Sequence, residues 1–123
     1  MKKLLACMLS LLVTLVYADN REWTDEEKVL GYSLLALTFI DYAQTRYIAS
    51  NPNFHENNPL LGSHPSLGRV NTHFMLGTGI GYLLLDNNDR YRKDLLMIGT
   101  GIEMFVVTNN AKHGIGLNLK WRM

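Results

Sequence analysis

Cysteine is almost missing from this chain: there is one in 123 residues, Cys7, close to the start. No disulfide can hold the fold together, and thiol chemistry is excluded from everything beyond the first few positions. An excess of one charge is missing too. Twelve Lys+Arg against 11 Asp+Glu leave a net charge of +1, and the basic residues are scattered, so no nucleic-acid partner is expected. Proline occurs only at Pro52, Pro59 and Pro65, which leaves the rest of the chain free to be helical. Catalytic signatures are also lacking: there is no G-x-S-x-G, no phosphate-binding loop, no HExxH and no CxxC. His55, His64, His73 and His113 are too widely spread to form a motif, so neither a metal nor a cofactor is predicted.

What is present begins at the front. Lys2-Lys3 precede the apolar run "LLACMLSLLVTLVY", and Val16-Tyr17-Ala18 places small residues where a signal peptidase reads. Residues 1–18 are therefore predicted to be a cleaved signal peptide, and 19–123 a single domain. Leu4-Leu5-Ala6-Cys7 resembles a lipobox, but the apolar run follows Cys7 instead of preceding it. As an uncleaved anchor, the run of roughly 15 apolar residues falls short of the roughly 20 that a spanning helix prefers.

The domain reads as all-α. Thr24-Asp25-Glu26-Glu27 fits a capping box opening a helix over about 25–50, apolar first and polar from Asp41 onward. A loop over 51–66 holds all three prolines. Two more helices are predicted over 67–85 and 90–110, with Ser66 and Asp89 as N-caps and Gly114 as the stop. The tail "IGLNLKWRM" alternates for a few residues and suggests a short extended segment. Apolar stretches 70–85 and 95–107 would be about 24 and 20 Å long, against a hydrocarbon core of about 30 Å. They lack a polar stripe, which favours a small three-helix membrane bundle. His73 and Glu103 within them argue the other way.

One stretch is written twice. "MLGTGIGYLLLDNN" starts at Met75, and "MIGTGIEMFVVTNN" starts at Met97, with Gly81 replaced by Glu103 in the second copy. On adjacent antiparallel helices, Gly77 and Gly81 form one small-residue stripe, with Gly99 and Glu103 as its counterpart. Glycine in a helix costs about 1 kcal/mol against alanine, so close helix contact through Gly77, Gly81 and Gly99 is the expected return. Counting residues from each turn puts Asp41, His73 and Glu103 at one depth on three helices, with Thr45 one turn from Asp41. A carboxylate buried there needs a donor, and His73 is the expected partner of Glu103. Such a cluster is either a structural polar knot or a functional site.

The loop "FHENNPLLGSHPSLGR" adds Glu56, Asn58 and His64 as site candidates. Local chemistry also accounts for it: Asn58-Pro59 turns the chain, Leu60 and Leu61 plug the bundle end, and Ser66 caps. Asp41-x-x-x-Thr45 followed by Glu56-x-Asn58-Pro59-Leu60 resembles a group of small bacterial and phage-borne multi-helix membrane proteins of unknown function. The resemblance covers about residues 34–85. It implies a membrane location and places Asp41 and Glu56 in one site, and it supplies no activity.

The expected protein is thus a small exported membrane protein of the bacterial inner membrane. It would be non-enzymatic, acting by contact with the lipid bilayer and an envelope protein or lipid. Three alternatives stand beside it: a periplasmic soluble bundle, a membrane-embedded hydrolase or transferase, and an ion or proton conduit. The hydrolase or transferase would take its base from Asp41 or Glu56 and its partner from His64 or His73. The conduit requires a homo-oligomer, because three helices enclose no pore.

Overall fold

A computed structural model of the chain describes residues 21–120. The predicted signal peptide, with Cys7 and the junction after Ala18, lies outside the described residues, as does the end of the tail. Among the described residues the fold is all-α, with three helices and no strand: α1 (Asp25–Ala49), α2 (Leu67–Asp86) and α3 (Arg92–Lys112).

The caps explain the first two starts. Thr24 Oγ1 accepts the Glu27 amide at 3.1 Å while Glu27 Oε2 accepts the Thr24 amide at 2.9 Å, so the capping box closes on both sides. Ser66 Oγ accepts the Arg69 amide at 3.1 Å and opens α2. The start of α3 differs from expectation. Asp89 does not cap it; the N-cap is Tyr91, with no side-chain bond, and Asp89 instead offers its carbonyl to Arg21 Nη2 at 3.2 Å. The reason is Arg92, which is fully buried and pulled into the interior. It donates to the carbonyls of Leu85 at 2.8 Å, Asp86 at 2.9 Å and Arg21 at 2.9 Å. A tertiary anchor, not a local cap, sets where this helix begins.

Gly114 ends α3 with φ +77, the left-handed geometry that favours glycine. The tail beyond it is irregular, not a strand. Its Asn118 amide bonds the Ala43 carbonyl at 2.9 Å, so it docks on the end of a helix and has no strand to pair with among the described residues. In the loop, Leu61 is buried as expected but Leu60 faces outward at 70% exposure.

The ion pair Lys93–Glu26 (3.0 Å) joins α3 to α1 at one end, and Asn110 Nδ2 donates to Gln44 Oε1 (3.1 Å) at the other. These two helices therefore run side by side in the same direction. The antiparallel α2 leans on α1 and barely touches α3. Both ends of the bundle are tied by buried polar groups. At one end Glu27 sits between Arg21 and Arg92, and Trp23 donates to Asp86 Oδ1 at 2.8 Å under the Arg92 guanidinium. At the other, buried Arg46 reaches Asn71 Oδ1 and the tail carbonyls of Asn118 and Lys120.

Between those ends the usual distribution is reversed. Tyr32, Leu35 and Phe39 on α1, Leu76, Ile80 and Leu83 on α2, and Ile98, Ile102 and Phe105 on α3 are all exposed, at helical spacing. Among the described residues the buried hydrophobic core is confined to Ala43, Ile48, Leu61, Val70 and Leu96. Taken one at a time, no helix of the described residues is long and apolar enough to cross a membrane.

The Glu27 end gives a pH prediction. Arg21 Nη2 bonds Glu27 Oε1 at 2.6 Å, and this pairing, outweighing desolvation and aided by the Thr24 amide and Arg92, lowers the carboxyl pKa to about 2. A depressed folded value means stability that is fully present above the unfolded pKa of about 4.3 and is lost as pH falls through that value toward 2. The melting temperature of the wild type is expected to fall over that window more steeply than that of Glu27→Gln. Parallel curves for the two proteins would refute the assignment.

Candidate functional site: an apolar cleft ending in carboxylates

Because α2 leans away from α3, a cleft of about 1280 Å³ opens beside α1. It runs from Trp23, Tyr82 and Asp86 at the Arg92 end of the bundle, past Leu34, Leu35, Phe74, Gly77 and Gly81, to His73 and Glu103. The repeated glycine stretch therefore does a different job from the one expected. A Cβ built at Gly77 or Gly81 would meet no atom within 4 Å, so these glycines make no close helix contact; they open the cleft wall. Gly99 is a contact glycine, but against α1: a Cβ there would lie 3.3 Å from Leu34 Cδ2. The two copies of the repeat do not face each other because α2 and α3 diverge.

A graded mutational result follows. Gly77→Ala is expected to raise stability by up to about 1 kcal/mol, the helix-propensity gain with nothing to clash against. Gly99→Leu should instead lower it, since the new side chain must displace Leu34. Thermal melts of both variants check this, and equal shifts would contradict the packing described.

Asp41 lies near Glu103 without itself lining the cleft. The Thr45 hydroxyl donates to the Asp41 carboxylate, and Glu103 and Glu56 both lie within electrostatic reach of Asp41. Asp41 and Glu103 are thus near each other, as counting from the turns predicts, and Glu56 is close to Asp41 as well. The expected Glu103–His73 pair is not. His73 Nε2 is taken by Asn58 Nδ2 at 3.4 Å, and its ring packs edge-on against Phe74. Glu103 Oε2 is buried with no hydrogen-bond partner among the described residues, and so is Thr100 Oγ1 one turn earlier. His73 turns toward the loop because Asn58 is already held there. The Asn58 amide donates to Glu56 Oε1 at 2.8 Å, and Asn58 Oδ1 accepts the Leu60 amide at 3.0 Å in an Asx-type turn.

His64 is not part of this group. It is exposed, with its ring edge-on to His55 at 4.6 Å between centroids. No group of three or more His, Cys, Asp or Glu among the described residues is arranged to hold a metal. Sequence reasoning passed over Gln44, Arg46 and Arg92, which tie the helices around the site. A buried arginine at a helix end carries no local signal that separates it from a solvated one. Compared with protein-family models, with curated proteins and with solved structures, the chain matches none.

Proposed function

We propose that the protein is a small exported integral membrane protein, non-enzymatic, that acts by contact with another membrane or envelope component through the cleft between α1 and α2. The observation that carries this is the apolar belt: outward stripes of Leu, Ile, Phe and Met on all three helices, bracketed by buried polar networks at both ends. In water such a surface is a liability far beyond scattered exposed residues. In a bilayer it is the surface the solvent requires, and the inward polar groups are then the ones hidden from lipid. Averaged along its length each helix is only moderately apolar, because buried polar residues such as Gln44, Thr45, Arg46 and Arg92 and the exposed charges at the helix ends count against it. With those charged ends included the helices are about 38, 30 and 32 Å long at 1.5 Å per residue, beside a hydrocarbon core of about 30 Å. The resemblance carried by Asp41, Thr45, Glu56 and Asn58 points the same way, as does the leader, which directs the chain to the bacterial inner membrane.

The near absence of cysteine makes the test direct. With Cys7 absent from the mature chain, single cysteines at Leu76 or Ile98 should resist a water-soluble thiol reagent in vesicles and react once detergent is added. Cysteines at Asn57 and Asp89, in the connections, should differ from them by reacting on whichever side the reagent reaches. Equal labelling at all four positions in intact vesicles, or release of the protein by carbonate, would reject bilayer insertion. N-terminal sequencing should find Asp19 first.

A membrane-embedded hydrolase or transferase is the second reading, favoured by the nearness of Glu56 and Glu103 to Asp41, with Glu103 lining the cleft. It requires that Asp41→Asn abolish a host phenotype while leaving the melting temperature unchanged; under the leading reading Asp41→Asn retains the phenotype.

A further inference from the structure

The cleft has the form of a helix seat with one unpartnered carboxyl group in it. Its α2 wall lacks side chains at Gly77 and Gly81, where a built Cβ would touch nothing, so a neighbouring backbone can come close. The remaining walls are apolar, from Leu34 and Leu35 to Phe74. Glu103 lines the cleft, its carboxylate has no hydrogen-bond partner among the described residues, and Asp41 lies within electrostatic reach. An acceptor left without a donor in a low-dielectric setting is costly, and an incoming donor of positive charge relieves that cost.

We propose that the cleft receives a membrane helix of a partner protein that carries a lysine or arginine at mid-depth, whose cationic head is met by Glu103. This rests on the bilayer reading above and names the partner for the same cleft. A second copy of this chain does not fit the requirement. Between residues 29 and 45, 70 and 85, and 94 and 111 there is no Lys or Arg, so a copy has no such cation to bring to mid-depth. His73, the one basic group at that level, is engaged by Asn58. A lipid chain fills the apolar walls but leaves Glu103 as it is. The partner is therefore a different protein, recognised by small-residue packing and by an acid–base pair inside the membrane.

The experiment uses the mature protein in phosphatidylcholine vesicles and leucine-rich helical peptides bearing a terminal dansyl group, with Lys, Gln or Leu at the central position. Energy transfer from tryptophan reports binding, Trp23 being part of the cleft lining. The Lys peptide is expected to bind about tenfold tighter than the Leu peptide, and Glu103→Gln to remove that margin. Gly81→Leu, which fills the wall, should weaken all three peptides. If Glu103→Gln proves too unstable to insert, Glu103→Asp withdraws the carboxylate by one methylene and should shrink the same margin. Equal binding of the Lys and Leu peptides overturns the proposal in favour of a lipid-like apolar occupant. A Lys margin that survives Glu103→Gln overturns the assigned contact. Absence of binding by the Lys peptide to protein that passes the thiol-access test overturns the helix seat and leaves the bilayer reading standing.

Discussion

Arg92→Leu is expected to destabilise the protein by about 3–5 kcal/mol, the cost of removing one partner of a buried ion pair. Arg92 is 0% exposed and Glu27 2%, and they lie 3.5 Å apart. Leucine leaves Glu27 with only the exposed Arg21 as its cation. It also strips the donor from the carbonyls of Leu85 and Asp86 at the end of α2 and of Arg21 in the segment before α1. The Trp23 ring loses the cation 4.9 Å above it. Denaturant or thermal melts in detergent measure the loss. Changing Glu27 to leucine as well should return only part of it, because the three carbonyls remain without their donor. Full recovery in the double variant would mean that the ion pair alone mattered, and a loss of less than about 1 kcal/mol for Arg92→Leu would mean that the network is ornamental.

Arg46→Met is the second large effect, expected at about 3 kcal/mol, with each hydrogen bond to the charged group worth about 1.5–3 kcal/mol in isolation and the sum offset by repacking. Arg46 is 3% exposed and joins three parts of the chain: Tyr42 on its own helix, Asn71 on α2, and the tail carbonyls of Asn118 and Lys120. Methionine keeps the stem and removes the fork. Among the described residues the tail then keeps its Asn118 bonds to Ala43 and Ser50, so it should detach before the helices separate. Trypsin cleavage after Lys112 is expected to speed up under conditions where the helical circular dichroism is unchanged. Arg46→Lys should fall between the two, since one ammonium cannot span the same acceptors. Unaltered cleavage in Arg46→Met would show that the tail is held by something else.

Both residues bear on how the sequence should be read. Thr24, Glu27 and Ser66 announced their helix starts because caps are local, made within three residues of the helix they begin. Gly114 announced its stop for the same reason. Arg92 and Arg46 announced nothing. Each satisfies backbone or side-chain acceptors far away in sequence, and an arginine near a helix end looks the same whether it faces water or the interior. Leu60 and Leu61 make the point on a smaller scale: adjacent, identical residues in a turn, of which only Leu61 found the core.

The sequence by itself determined the three helices, the turn at Asn58-Pro59, and the common depth of Asp41 and Glu103. Depth along a helix is additive, about 1.5 Å for each residue from a known end, so it follows from counting. Only the tertiary structure decided the direction each side chain faces and the lean of each helix. Those depend on side chains from every neighbouring element packing at once, and a single helix carries no record of them. That is why Glu103 and His73 share a level without bonding. It is also why Gly77 and Gly81, written like a contact face, line an open cleft: α2 settled on α1 and left its glycines with nothing to touch.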